Sequence, residues 1–210
     1  MNRLRSAFYA CLPVLFFVGC ANVPLTETGF LGDYSEIKPA PEHQVWGIPD
    51  TVHLYRSPKL DSRSYDAVLV DPTDWQQGGT YTPSDDNVAW LQTEFSKCME
   101  NTLGDSFEVI SEPREGALRV RPALTAANPS NVLVNAILII LAVPLDQGGI
   151  SGEIEVVDAM SGERMLAMTA RREGNMFLIL ESVFIWGHAR HGMYKWGRML
   201  EKLLKPTDQA

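Results

Sequence analysis

Alternation of apolar and polar residues marks a strand near the middle of the chain. In residues 117–123, Leu118 and Val120 fall on one side, and Arg119 and Arg121 fall on the other. A period of two is typical of a strand that has one buried face. Two shorter apolar runs bounded by turn residues are also predicted to be strands: residues 65–70 and 107–110.

The same alternation returns after residue 150. Ile154 and Val156 fall opposite Glu153 and Glu155 in residues 152–158, which predicts a further half-buried strand. An antiparallel partner would let these carboxylates face basic side chains across the pair.

A tight hairpin is predicted directly afterwards, at Asp158–Glu163. An aspartate begins this segment, and Gly162 supplies the positive φ that such turns require. Residues 164–172 are expected to return as the partner strand, with Arg171 or Arg172 across from one of the two strand glutamates.

A period of 3.6 residues predicts a helix that begins within Thr82–Asp85. Thr82 is expected to cap it, Pro83 suits the first position, and Gly104 is expected to end it in a left-handed conformation. Its apolar stripe is Val88, Leu91, Phe95, Cys98 or Met99, and Leu103.

Residues 178–204 are predicted to form a closing helix. Glycine weakens a helix interior, so a kink or break is expected near Gly187 or Gly192. The buried stripe is predicted to contain Ala189, Met193, Trp196, Leu200, and Leu203 or Leu204. Together these elements predict an α+β fold, a single domain in which a mixed or antiparallel sheet carries helices packed on one face.

One apolar stretch, Val132–Leu145, fits no period clearly. Pro129 and Pro144 favour a helix between them, whereas the many β-branched residues favour a strand; we interpret the stretch as a helix. Its apolar side chains must be buried away from water, either in the core of the domain or against an external surface such as a partner, a second copy or lipid.

The first twenty residues have the parts of an export signal. Arg3 and Arg5 precede an apolar run, residues 7–18, which ends at Gly19 and Cys20. The run is shorter than the roughly 18 apolar residues that a membrane-spanning helix needs.

The Gly19-Cys20 junction resembles the lipobox of bacterial lipoproteins, in which the cysteine is lipidated and becomes the first residue. The resemblance implies a signal peptide over residues 1–19 and acyl chains on Cys20. Ala21, which follows, resembles the signal that sorts such lipoproteins to the outer membrane. The domain would then face the periplasm.

Residues 20–60 are predicted to be the lipidated N-terminus and an extended tether, because five prolines and several glycines interrupt any periodicity. The domain itself is assigned to residues 61–205. Within the tether, Phe30, Leu31 and Tyr34 are predicted either to fix it to the domain surface or to dock a partner.

Several short motifs occur in an order that resembles a family of proteobacterial lipoproteins known only as a domain of unknown function. The resemblance implies no activity, cofactor or catalytic residue. The motifs are Gly29–Ser35, Tyr65–Pro72, Leu118–Arg121, Pro129–Asn131 and Asp158–Glu163, with Trp196 in the final helix.

Charge argues against nucleic acid as a partner. The net formal charge is −8, and loss of Arg3 and Arg5 with the signal would make it −10. Binding to phosphates needs clustered Lys and Arg, and no long basic run follows the signal.

Cys98 is the only ordinary thiol that remains after processing, and we interpret it as a small apolar residue on a buried helix face.

Few residues of the sequence have the spacing of a catalytic or metal-binding site. His188 and His191 lie three residues apart on a predicted helix, a spacing that suits two metal ligands but lacks a third nearby. Asp158 and Glu163 are interpreted as turn residues rather than a general acid and base.

Arg119 and Arg121 are interpreted as a solvated sheet face rather than an anion site. No phosphate-binding glycine loop, paired-cysteine motif or nucleophile elbow is present in the sequence.

The sequence therefore predicts a non-enzymatic lipoprotein of the outer membrane, without cofactor, that acts on envelope proteins as an assembly or interaction module. Two alternatives stay open. One is a binder of small apolar or lipid-like ligands that uses Val132–Leu145, and the other is a metal-binding protein or enzyme that uses His188 and His191.

Overall fold

The computed structural model describes residues 23–40, 50–130, 148–173 and 185–206. The predicted signal peptide, Cys20 and the apolar stretch Val132–Leu145 lie outside the described residues. So does the first part of the predicted closing helix. Among the helices of the described segments, none combines the length and the apolarity needed to span a membrane.

A sheet of eight strands forms the centre of the described domain. The strands follow the order β1-β2-β8-β7-β6-β3-β5, and β4 pairs with β6. Their bounds are β1 Lys38–Pro39, β2 Asp50–Arg56, β3 Ala67–Val70, β4 Asp74–Trp75, β5 Glu108–Ile110, β6 Ala117–Asn128, β7 Gly149–Asp158 and β8 Arg164–Glu173.

Strand direction divides the sheet into two parts. The β1, β2, β8, β7 and β6 strands pair antiparallel, whereas β3, β4 and β5 join through parallel pairs. The three helices of the described residues are α1 Lys59–Ser62, α2 Asp85–Leu103 and α3 Gly187–Leu204. The mixed sheet and the packed helices confirm the predicted α+β class.

The longer helices, α2 and α3, cover one face of the sheet and pack on each other. Phe95 of α2 and Trp196 of α3 meet edge to face, with ring centroids 6.0 Å apart. A β-carbon at Gly197 would overlap the Thr102 side chain, so the glycine lets the two helices approach closely. The predicted stripe of α3 is buried as expected: Ala189, Met193, Trp196, Leu200, Leu203 and Leu204.

The ends of α2 differ from the prediction. Ser84, not Thr82, is the N-cap, and its Oγ accepts a hydrogen bond from the Asn87 amide at 3.4 Å. Gly104 has φ −62°, so the helix does not end in a left-handed residue. Met99 occupies the fully buried position and Cys98 is only half-buried. The prediction missed the cap because serine and threonine, two residues apart, both suit that role.

The hairpin between β7 and β8 is confirmed. Asp158 Oδ1 accepts hydrogen bonds from the amides of Met160 and Ser161, at 3.1 and 2.9 Å, and Gly162 has φ +71°. Its strand register is not the predicted one. Across the β7–β8 pair, Glu153 faces Thr169 and Glu155 faces Ala167, so neither lies across from Arg171 or Arg172.

The sheet also begins earlier in the chain than residue 61. Residues 50–56 were predicted to be part of the tether, but they form β2, which pairs along its whole length with β8. Val52 is buried in the core. The prolines on either side of this stretch obscured its alternation of Val52, Leu54 and polar residues.

Candidate functional site at the N-terminal strap

Residues 23–34, which we call the N-terminal strap, cross the face of the sheet opposite the helices. Val23 and Leu31 are buried there. The strap backbone accepts hydrogen bonds from side chains of two strands: Ser151 Oγ donates to the Pro24 carbonyl, and Arg171 Nη1 donates to the Val23 carbonyl at 3.3 Å. Thr26 Oγ1 donates to Thr125 Oγ1 at 2.6 Å.

Glu153 is the centre of this contact. Its side chain projects from β7 towards the strap and is fully buried. One carboxylate oxygen accepts the Thr28 amide at 2.8 Å, and the other accepts the Tyr34 hydroxyl at 2.6 Å. Burial raises the pKa of Tyr34, and the hydrogen bond to Glu153 raises it further, so the phenol stays a donor at neutral pH.

Glu155, two residues further along β7, organises two arginines. It lies 2.5 Å from Arg121 Nη1 and 2.7 Å from Arg164 Nη2. Arg164 in turn donates to the carbonyls of Leu31 and Asp33. Arg121 is within 5.5 Å of the centre of the Phe30 ring, a cation–π distance. One buried carboxylate therefore positions both cations that hold the second half of the strap.

The strap confirms the first of two alternatives for Phe30, Leu31 and Tyr34, because all three fix the N-terminal segment to the domain. Sequence reasoning missed Glu153 and Glu155 as functional residues. The alternation did place both side chains on one face of β7. Glu155 meets basic side chains there, as the alternation suggested, but the partners of Glu153 come from the strap, which the sequence did not predict.

His188 and His191 lie near Arg172 of β8. Burial lowers the pKa of both imidazoles to about 4, and the positive charge of Arg172 adds to the effect. A metal cation held by this pair would meet the same positive charge. Within the described part of the chain, no group of three or more potential ligands is placed to hold a metal ion.

The remaining candidates are engaged in structural contacts. Burial raises the pKa of the half-buried Cys98 thiol, which lowers its reactivity as a nucleophile. Arg119 pairs with Asp71 at 3.0 Å, and Arg121 pairs with Glu155. Asp158 accepts the Tyr65 hydroxyl at 3.0 Å. Glu163 pairs with basic side chains near α1.

An open groove of about 520 Å³ lies between the end of β3 and α2. Three of its lining residues bond to one another: Ser96 Oγ accepts the Thr73 amide at 3.0 Å, and Gln92 Nε2 donates to the Thr73 carbonyl at 2.8 Å. These three residues are therefore already engaged and contribute little to orienting a ligand.

Replacing Tyr34 by Phe removes one of the two strap donors to Glu153. We expect Tyr34→Phe to lower the free energy of unfolding by about 1–3 kcal/mol, because a buried carboxylate oxygen loses its partner. We also expect the strap to become sensitive to limited proteolysis. Tyr194→Phe, at a half-exposed position on α3, is the matched control and should leave both measurements unchanged. Equal behaviour of the two variants would contradict the role of Glu153.

The two histidines predict a pH dependence of stability. Their folded pKa of about 4 lies below the ordinary value near 6.5, so between these values the unfolded chain binds protons that the folded chain does not. Stability is therefore fully present above about pH 6.5 and decreases as the pH falls towards 4. The urea concentration at the midpoint of unfolding should therefore be lower at pH 5 than at pH 7. The double variant His188→Gln/His191→Gln should flatten this dependence, and a midpoint that stays constant in the parent protein would contradict it.

Two solved structures are similar to the chain at low sequence identity. A variant PelC dodecamer from Paraburkholderia phytofirmans has 12% identity and a TM-score of 0.46, with 75% of this chain and 98% of that chain covered. A PelC dodecamer from the same organism has 14% identity and a TM-score of 0.45, with 74% and 98% covered. No curated protein matches the chain. A family's sequence model matches residues 26–200, and the chain thus belongs to the family described as "Protein of unknown function (DUF3313)".

Proposed function

We propose that this chain is an outer-membrane lipoprotein, anchored through acyl chains on Cys20, whose domain faces the periplasm as a non-enzymatic interaction or assembly module of the envelope. The strap is the observation that carries the proposal. Val23, three residues after Cys20, is fully buried against the sheet, so an acyl anchor at Cys20 is coupled directly to the folded domain.

The sequence before the strap supports the lipid anchor. A basic start, a short apolar run and a Gly-Cys junction are the parts of a lipoprotein signal. Two or more acyl chains give stable attachment to a membrane, whereas one chain binds only marginally.

The side chains of the described residues support a binding role over a catalytic one. Activated nucleophiles and general bases need a pKa matched to their task and a free approach for substrate. Cys98 has a raised pKa. Asp158 and Glu163 are engaged at the hairpin and α1. In the groove, Thr73, Gln92 and Ser96 bond to each other.

Metabolic labelling with a fatty acid tests the anchor. We expect Cys20→Ala to abolish incorporation almost completely and to release the protein from membranes, because the acylated atom is lost. Cys11→Ala and Cys98→Ala are matched controls, since neither thiol is the proposed attachment site, and both should label like the parent. Equal labelling of the parent and Cys20→Ala would refute the proposal.

Sorting to the outer membrane has its own test. Ala21→Asp should stay lipidated but be retained in the inner membrane, as measured by density separation of the two membranes. An unchanged distribution would contradict the predicted role of Ala21.

A further inference from the structure

Val23, the first residue of the strap, lies at one end of the sheet. Gly149 begins β7, and a β-carbon there would overlap the Val23 side chain, so strap and strand are in direct contact at this point. Arg171, near the end of β8, holds the Val23 carbonyl. Three residues of extended chain reach at most about 11 Å. Cys20 therefore cannot lie more than about 11 Å from Val23.

We propose that this end of the domain rests on the bilayer surface, with Tyr81, Trp90 and Ile185 in contact with zwitterionic lipid headgroups. The inference rests on the proposed lipidation of Cys20 and adds the orientation of the domain and the chemistry of its contact surface. We call Tyr81, Trp90 and Ile185 the apposed patch.

A chain of contacts connects Val23 to the apposed patch. Gly149 pairs with Asn128, the last residue of β6. Two residues later, the Ser130 amide donates to the Ile185 carbonyl at 3.0 Å. Ile185 is thus at the same end of the sheet as the strap's buried valine.

The first turn of α2 lies at this end as well. Trp186 Nε1 donates to Asn87 Oδ1 at 3.3 Å, which joins the start of α3 to the start of α2. Trp90 follows Asn87 by three residues, close to one helical turn. Tyr81 belongs to the loop whose Gly79 packs on Ala126 near the end of β6.

The side chains of the apposed patch are between 40% and 55% exposed. Tryptophan and tyrosine are enriched at membrane–water interfaces, where an apolar ring and a polar group are both satisfied. Asp85 and Asp86 begin α2 beside the patch and are exposed. These carboxylates oppose binding to an anionic surface, so the chemistry favours a zwitterionic one.

Met160 is the reference position against which contact of Ile185 with lipid is measured. It is exposed at the tip of the β7–β8 hairpin, at the opposite end of a ten-residue strand. Ten extended residues span about 33 Å, whereas interfacial side chains enter only about 5–10 Å into a bilayer surface. The two ends are therefore distinguishable by a quencher confined to lipid.

The test uses the full chain, acylated at Cys20 and reconstituted into phosphatidylcholine vesicles that carry a quencher in the headgroup region. A fluorophore is attached to Ile185→Cys or to Met160→Cys, each in a Cys98→Ser background. We expect quenching at position 185 to exceed that at position 160 by at least about threefold, given the depth of interfacial contacts. Addition of phosphatidylglycerol should not increase this ratio.

Equal quenching at the two positions would overturn the orientation. A ratio of quenching at position 185 to that at position 160 that rises several-fold with phosphatidylglycerol would overturn the proposed preference for zwitterionic lipid. An unquenched label at 185 that crosslinks to a second copy would assign the patch to self-association and overturn the proposal. A chain that incorporates no fatty acid would refute both the anchor and the orientation, whereas an acylated chain with equal quenching refutes the orientation alone.

Discussion

Two carboxylates buried on one face of β7, those of Glu153 and Glu155, require partners from outside that strand. Glu153 is 0% exposed and Glu155 is 7% exposed. A buried carboxylate without partners is strongly destabilising. Glu153 obtains its partners from the strap, through the Thr28 amide and the Tyr34 hydroxyl. The sheet and the strap therefore stabilise each other, and neither arrangement is favourable alone.

The constraint extends to neighbouring elements. The hairpin returns the chain so that Arg164 reaches Glu155 from β8, while Arg121 reaches it from β6. The register of β6 against β7 shifts between Leu124 and Ala126, and the intervening Thr125 accepts the hydroxyl of Thr26 in the strap. With α2 and α3 on the other face, β7 is buried along nearly its whole length. The sheet thus has two covered faces, one apolar and one lined by charged pairs.

Local signals made much of the fold predictable. Periodicity identified β3, β6, β7 and the buried stripes of α2 and α3, and turn chemistry identified the hairpin from Asp158 and Gly162. These features depend on residues close in sequence. The strap that covers Glu153, and the strand nature of residues 50–56, depend on partners more than a hundred residues away. Sequence periodicity contains no information on such pairings, so it identified the alternation but not what covers it.

Residues 23–34 are a bound part of the domain and not a flexible tether. Amide hydrogen exchange of the full protein tests this, because the Thr28 amide is bonded to a buried carboxylate and the Gly32 amide to the Gly29 carbonyl. We expect peptides within residues 23–34 to exchange slowly, on the timescale of β7, and Glu153→Gln to accelerate them more than it accelerates α2. Complete exchange of the strap within seconds in the parent protein, while β7 stays protected, would show instead that the strap is not bound to the sheet.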